Sequence, residues 1–394
     1  MVAGWGGRHR HRHLYRDHRA APADHPPPGR QGAAVSGIGQ EHPPDGSGPD
    51  GAVPGIHRER VTEWMVRNIG SAVPPFRFAP IPGGNSNLTY RVRGADGAEY
   101  ALRRPPLGHV LATAHDVARE FRIISALGGT DVPVPPALGL CSDPAVNDAP
   151  FYVMGFVAGV VPHDRTAGSS MTPADRRSLG EGAVTVLADL HSLDPDDVGL
   201  GDLGRREGYV QRQLRRWSRQ WESSKQRDLP VMDRVRTLLE DRIPSQQRTG
   251  VVHGDYRFGN LIVEDGRIGA VVDWELCTLG DPLTDLGYLA NDWIDPGGPE
   301  LWRSSVVQDG GFPSMEAMVA RYAALTGADV SELPYYRAMQ AWRLAAILEG
   351  VYARYRHGVM PNISGVDLPS LAGSVERLAG FALAALEGGA HPPP

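Results

Sequence analysis

Between residues 58 and 69 the apolar positions Val61, Trp64, Met65 and Ile69 recur at three- and four-residue spacing, which predicts one buried helix face over Arg58–Ile69. The period then shortens. Phe76–Ile81, Leu88–Arg93 and Tyr100–Arg103 read as short strands parted by Pro/Gly or Asp-Gly turns, and Ala95-Asp96-Gly97 predicts a hairpin. A helix is expected over about Ala114–Leu127, then strands at Ala137–Cys141 and Phe151–Phe156. After Gly159 the pattern turns helical. Thr172-Pro173 supplies a cap followed by proline at the first helical position, opening a helix to about Leu193. Further helices are predicted over about Gly208–Lys225, Val231–Arg242, Met315–Leu325, Pro334–Tyr355 and Leu368–Leu386, interrupted by short strands and a loop between Gly250 and Asp273. No internal repeat is visible. The expected fold class is α+β: a small, mostly antiparallel sheet with one inserted helix, then a large helical lobe.

Composition sets the outer limits of this picture. Residues 1–55 are rich in Pro, Gly, His and Arg and poor in large apolar side chains, so they are expected to form a disordered tail. The run Arg8–His13 alternates Arg and His, and is read as solvated rather than metal-binding. The domain boundaries drawn from the pattern are 56–158 for the N-terminal lobe and 159–390 for the C-terminal lobe. A formal net charge of −6 gives no global basic field, so no nucleic-acid partner is expected. Two distant cysteines, Cys141 and Cys277, make neither a disulfide framework nor a zinc site, and a reducing, cytoplasmic setting is expected. No apolar run reaches spanning length, so no membrane partner is expected either. The chain has a single lysine, Lys225, against 39 arginines. Any cation that meets phosphate must therefore be arginine.

The chemistry concentrates in His253-Gly254-Asp255-Tyr256-Arg257-Phe258-Gly259-Asn260, followed by Asp273-Trp274-Glu275. Asp255 follows an apolar strand, Asn260 opens the next, and Asp273 ends a third. That is one carboxylate to handle a proton and an amide and a second carboxylate to hold metal. Phosphoryl transfer needs such parts, because Mg²⁺ must bridge phosphate oxygens and takes few, hard protein ligands. A lone His-Gly-Asp is a weak signal; the full spacing is a strong one.

These segments, with Gly280-Asp281-Pro282-Leu283-Thr284-Asp285-Leu286, resemble the catalytic loop and metal segment of the aminoglycoside phosphotransferase and choline kinase superfamily. The resemblance implies a bilobal protein-kinase-like fold, ATP and Mg²⁺ as cofactors, Asp255 as catalytic base, and Asn260 and Asp273 as metal ligands. It makes His253, Asp281 and Asp285 braces, with Asp281 alternatively capping a helix from Pro282. Gly83, Gly84, Asn85, Ser86 and Asn87 resemble the nucleotide-covering turn, which is not a Walker A loop. In Ala101-Leu102-Arg103, the usual phosphate lysine is replaced by Arg103, with Arg104 competing; alternation puts Ala101 and Arg103 on one face, and Glu120 is the expected partner. Met154, Gly155 and Val157 would line the adenine site. A narrower resemblance, to the kinase-like domains that accompany acyl-CoA dehydrogenases, runs over residues 56–390. It rests on Gly83–Tyr90, Leu102–Pro106, Phe151–Met154, Arg212–Trp217 and Arg343–Tyr352.

The acceptor is expected to be a small molecule bearing a hydroxyl. Arg212, Arg215, Arg216 and Arg219 on one helix, with Arg343 and Arg354 on another, suit an anion such as a hydroxy acid or hydroxyacyl-CoA, and Arg216 and Arg343 are the candidate contacts. The alternatives are an aminoglycoside-type acceptor, or a pseudokinase that holds nucleotide without turnover. The sequence is silent on oligomeric state.

Overall fold

The computed structural model describes residues 53–82, 87–107, 116–293, 301, 305–358 and 367–388. Nearly all of the expected tail, and the turn residues Gly83, Gly84, Asn85 and Ser86, lie outside them. Val53, Pro54 and Gly55, read from the sequence as the end of the tail, are instead packed onto the fold. Val53 is buried, the Pro54 carbonyl accepts from the Tyr90 hydroxyl at 2.6 Å, and the Gly55 carbonyl accepts from Arg104.

The first lobe contains α1 (Arg58–Asn68), β1 (Arg77–Pro80), β2 (Leu88–Arg93), β3 (Glu99–Arg104), α2 (Val117–Leu127), β4 (Ala137–Cys141), α3 (Pro144–Asn147) and β5 (Phe151–Gly155). The five strands form one antiparallel sheet in the order β1-β2-β3-β5-β4. Strand alternation sorts its two faces. Tyr100, Leu102, Phe151 and Val153 pack with Val61 and Met65 of α1 on one face. Ala101, Tyr152 and Met154 share the other with Val117, Ile124 and Leu127 of α2, and that core runs on into the second lobe. Helix α2 starts later than expected because the Asp116 side chain caps it, accepting from Arg119 N–H at 3.0 Å. Its buried positions Val117, Glu120, Ile123, Ile124 and Leu127 follow the helical period, and a carboxylate stands among them.

The second lobe is mainly helical: α4 (Arg165–Ser169), α5 (Pro173–Ser192), α6 (Tyr209–Ser224) and α7 (Pro230–Asp241) precede three short strands, β6 (Gly250–Val252), β7 (Leu261–Glu264) and β8 (Arg267–Val271). Then come β9 (Thr278–Gly280), α8 (Leu283–Asp292), α9 (Met315–Thr326), α10 (Leu333–Arg356) and α11 (Leu368–Glu387). The expected cap at Thr172 is a full capping box, with Asp175 answering the Thr172 N–H. Helix α10 is buried almost all round, which makes it the central helix of this lobe. β9 pairs with β6, and the β7–β8 hairpin stands apart. The short elements α3, α4 and β9 are too brief to show a period in sequence.

The chain leaving β5 is tied to that hairpin, since Val160 and Val263 exchange backbone hydrogen bonds of 2.8 and 2.9 Å, and Val271 N–H donates to the Pro133 carbonyl at 2.8 Å. The strand pair that carries the candidate metal ligands is thereby fixed to the linker below the sheet. Among the described residues no helix is long and apolar enough to cross a membrane.

Candidate active site

The Asp255 loop is organised by a residue thirty positions further along the chain. Asp285, on the first turn of α8, is fully buried; its Oδ2 accepts from His253 N–H at 2.6 Å and its Oδ1 from Gly254 N–H at 2.9 Å. Burial pulls this carboxyl upward. The hydrogen bond and charge of His191 and the Gly254 N–H outweigh it and hold Asp285 below the usual carboxylate range. His191 is itself anchored by the Tyr322 hydroxyl at 2.7 Å. His253 then braces the next residue. Its Nδ1 accepts from Asp255 N–H at 3.2 Å, so the proton lies on Nε2, which donates to the Val272 carbonyl at 3.1 Å. Gly254 has φ +84°, and a Cβ there would strike Leu276, so only glycine makes this turn without strain. Asp281 does both things expected of it: Oδ1 accepts from Leu283 N–H at 3.1 Å at the start of α8, and Oδ2 takes the Tyr336 hydroxyl at 2.7 Å.

Asp255, Asn260 and Asp273 come together. The Asn260 amide nitrogen donates to the Asp255 backbone carbonyl at 2.8 Å and to its Oδ2 at 2.7 Å. The Asn260 backbone carbonyl accepts from Val272 N–H at 2.9 Å, so Asp273 is the next residue across the hairpin. Asp273 sits in the left-handed region, φ +69°, which turns it out of the β8 direction. With its nitrogen committed to Asp255, the Asn260 amide turns its oxygen the other way. Together with the Asp273 carboxylate this makes two hard oxygen donors, the number and kind Mg²⁺ takes from protein beside nucleotide phosphates. Among the described residues no group of three His, Cys, Asp or Glu side chains is placed to hold a metal.

Arg103, not Arg104, faces this cluster. Its Nη2 donates to Asp273 Oδ1 at 2.6 Å, and its Nε lies 2.9 Å from Glu120 Oε2, close enough for an ion pair but not aligned as a hydrogen bond. Glu120 also takes Asn87 Nδ2 at 2.6 Å and the Tyr152 hydroxyl at 3.1 Å. Burial raises the Glu120 carboxyl to about 7 against the pull of Arg103. Burial works against the Arg103 charge too, but Glu120 and Asp273 more than offset it and hold the proton firmly. Arg104 points to the opposite face and is used up on the backbone carbonyls of Gly55, Pro105 and Asn147. Asn87, expected at the nucleotide turn, has its amide on the Glu120 network instead. At the linker, Met154 is on the same face as Ala101. The Gly155 N–H donates to the Pro136 carbonyl at 2.8 Å, which leaves the Gly155 carbonyl as the backbone group of that residue open to an adenine edge.

Sequence reasoning passed over two residues: Arg257, which touches Asp255, and Tyr288, which meets Arg343. Arg257 Nε donates to Asp255 Oδ2 at 3.2 Å. Tyr288, on α8, is raised first by burial, then by Asp255, with Arg343 and Arg257 opposing. Its position on α8 looked like ordinary core; the fourfold spacing from Thr284, itself deep in the lobe, was the available signal. Arg343 is buried, its guanidinium 5.2 Å from the Trp217 ring centre and 5.5 Å from Tyr288, with Nη1 donating to Gln340 Oε1 at 2.9 Å. Arg216 lies 5.1 Å over the same Trp217 but is exposed. The other arginines of α6 turn away: Arg212 bonds the backbone carbonyls of Glu207 and Arg205, and Arg219 bonds Arg215. Most of the basic face of α6 is thus a solvated surface, and only Arg216 and Arg343 meet at Trp217.

Residues 77–349 match the model of the phosphotransferase enzyme family, and they carry both the loop and the Arg103 corner. The chain belongs to that family. It is 34% identical over 331 residues to acyl-CoA dehydrogenase family member 10 of Mus musculus, covering 82% of this chain and 31% of the relative. It is 36% identical over 304 residues to acyl-CoA dehydrogenase family member 11 of Rattus norvegicus, covering 75% of this chain and 38% of the relative. The chain thus spans about a third of the length of these relatives. Among solved structures, a presumptive aminoglycoside phosphotransferase of Ralstonia eutropha is 31% identical and superposes with TM-score 0.72 over 84% of this chain and 98% of that one. A macrolide 2′-phosphotransferase of Brachybacterium faecium, 20% identical with TM-score 0.51 over 85% and 99%, shares the fold. The family's bilobal, kinase-like α+β architecture is the one described above.

Proposed function

We propose that the chain moves the γ-phosphate of ATP to a hydroxyl of a small molecule, with Asp255 as the base. The observation that carries this reading is the convergence of Asp255, Asn260 and Asp273 on one end of the β7–β8 hairpin, with Arg103 reaching Asp273 from the sheet above. Asp255 would accept a hydrogen bond from the acceptor hydroxyl and orient it, a gain that is mainly positional in a loose transition state. Asn260 and Asp273 would hold Mg²⁺, which when bound neutralises charge on the phosphates. Arg103 would leave Asp273 to meet a phosphate while keeping Glu120 as its anchor. Met154, the Val157 backbone and the Gly155 carbonyl are the adenine-side groups, and Gly83–Ser86 the covering turn. A cytoplasmic setting belongs to the same reading.

For the acceptor we favour a hydroxy acid or a hydroxyacyl-CoA. The buried cation at Arg343, beside Tyr288 on α8, supports an anionic or carbonyl-bearing acceptor better than a polycationic one. The dehydrogenase-linked relatives point the same way. The deciding experiment is a screen of hydroxy acids, hydroxyacyl-CoAs and aminoglycosides for Mg-dependent ADP release, repeated with Asp255→Ala. Turnover of acids or thioesters, lost in that variant while ATP still binds, is expected. Turnover confined to aminoglycosides would refute the acyl reading. ATP binding with transfer to no hydroxyl would make the protein a nucleotide-holding scaffold.

A further inference from the structure

The Asp255 carboxylate is held from two directions at the same oxygen. Oδ2 accepts from Asn260 Nδ2 at 2.7 Å and from Arg257 Nε at 3.2 Å. Oδ1 is the oxygen left to meet an acceptor. Arg257 is mostly buried, and its own charge is held by Asp255 first and then by Tyr288 and Asp292, which outweigh the penalty of burial. Its course is set by a neighbour: a Cβ on Gly259 would overlap Arg257 Nη1, so the guanidinium lies in the space that a side chain at 259 would take. Gly259 has no positive φ, so the backbone does not demand glycine there; what a side chain at 259 would displace is the guanidinium end of Arg257.

We propose that Arg257, seated on Gly259, is a positioning residue that fixes the Asp255 carboxylate so that only Oδ1 faces the acceptor, an inference that rests on the reading of Asp255 as the base. Asn260 alone could steady Oδ2 by one bond, but a single hydrogen bond leaves the carboxylate free to swing about it; the second, from Arg257, removes that freedom. Misplacing a reacting group by about 1 Å can cost on the order of a hundredfold in rate, and a hydrogen bond to a charged group is worth roughly ten- to a hundredfold.

The test uses the full chain with Mg·ATP, following the ADP released as the phosphoryl group passes to water or to any acceptor found in the screen above. Arg257→Met keeps the side chain as far as the position of Nε and removes the donor. Arg257→Gln returns a neutral N–H to the position of Nε. Arg257→Met should lose kcat by about a hundredfold with KM for ATP little changed, and Arg257→Gln should recover about tenfold of it. Gly259→Ala should lower kcat by dislodging the guanidinium, and Gly259→Ala combined with Arg257→Met should be no slower than Arg257→Met alone, because both remove one interaction. The proposal is overturned if Arg257→Met turns over like wild type, if its loss lies in KM for ATP, if Met and Gln variants lose rate equally in step with Tm, or if the two losses multiply. Should the wild type release no ADP under any condition, the kinase reading fails by itself. Crystals of Arg257→Met then decide the positioning claim: an Asp255 carboxylate rotated off Asn260 supports it, and an unmoved one overturns it.

Discussion

The Asp255 loop and the Arg103 corner lie against the same hairpin but are held by different physics. The loop is held inside one lobe by a buried carboxylate, Asp285, that accepts two consecutive backbone N–H groups, with His191 and His253 completing the set. Every bond there joins groups that need not move. The corner is made of charges that reach between the lobes: Arg103 on β3, Glu120 on α2 and Asp273 beyond β8. It is an ion-pair network that an incoming polyanion and cation would rearrange. Backbone hydrogen bonds give the protein a rigid floor for chemistry, and side-chain charges give it an adjustable roof.

Removing the carboxylate proposed as the base is the sharpest way to separate chemistry from scaffold. Asp255→Ala should lower turnover by roughly 10²–10⁴-fold, while ATP affinity by titration calorimetry stays within a few-fold. An equal loss of binding would mean that the loop is part of the nucleotide site rather than the floor. Next in size is Asp285→Ala, which strands two buried N–H groups and His191. Urea unfolding should show a loss of about 3–5 kcal/mol, and activity should vanish with the fold. Arg103→Met attacks the roof. Its stability loss should stay below about 3 kcal/mol, because Glu120 can take up a proton, whereas ATP affinity should fall at least about tenfold. If stability fell as far as in Asp285→Ala, the contrast between floor and roof would be wrong.

The roof also carries a pH signature. Glu120 is raised to about 7 in the fold, chiefly by burial, from an ordinary 4.5. Folding therefore takes up a proton, so this group's contribution is fully present below its unfolded value and is lost as pH rises through 7. Wild-type stability should decline between pH 5 and 8 by more than that of Glu120→Gln, with the difference read from urea midpoints at the two pH values. The smallest effect expected is at the outer face of α6: Arg212→Ala and Arg219→Ala should change stability by less than about 0.5 kcal/mol and leave acceptor KM alone. Arg343→Met, by contrast, should raise that KM.

Much of this was legible in the linear sequence. The capping box at Thr172, the hairpins and the long helices follow from local propensity and period, so their ends shift by only a residue or two in space. The spacing of Asp255, Asn260 and Asp273 was enough to nominate them, because a loop, a strand and a tight turn bring residues that far apart into one corner. Arg257 was not nominated, although it stands two residues from Asp255. Its role depends on a side-chain path over Gly259 that no period records.

Sequence by itself determined which side chains are available: one lysine, many arginines, and a single loop rich in the groups phosphoryl chemistry uses. Tertiary structure alone decided which of them meet. It sent Arg103 toward Asp273 and Arg104 to the opposite, buried face of the sheet, claimed the Gly155 N–H for the sheet, and drew Arg343 out of a field of similar arginines to a buried place beside Trp217 and Tyr288. The reason is that alternation and helical period say which residues share a face, whereas the neighbour each face meets is set by packing between segments far apart in the chain.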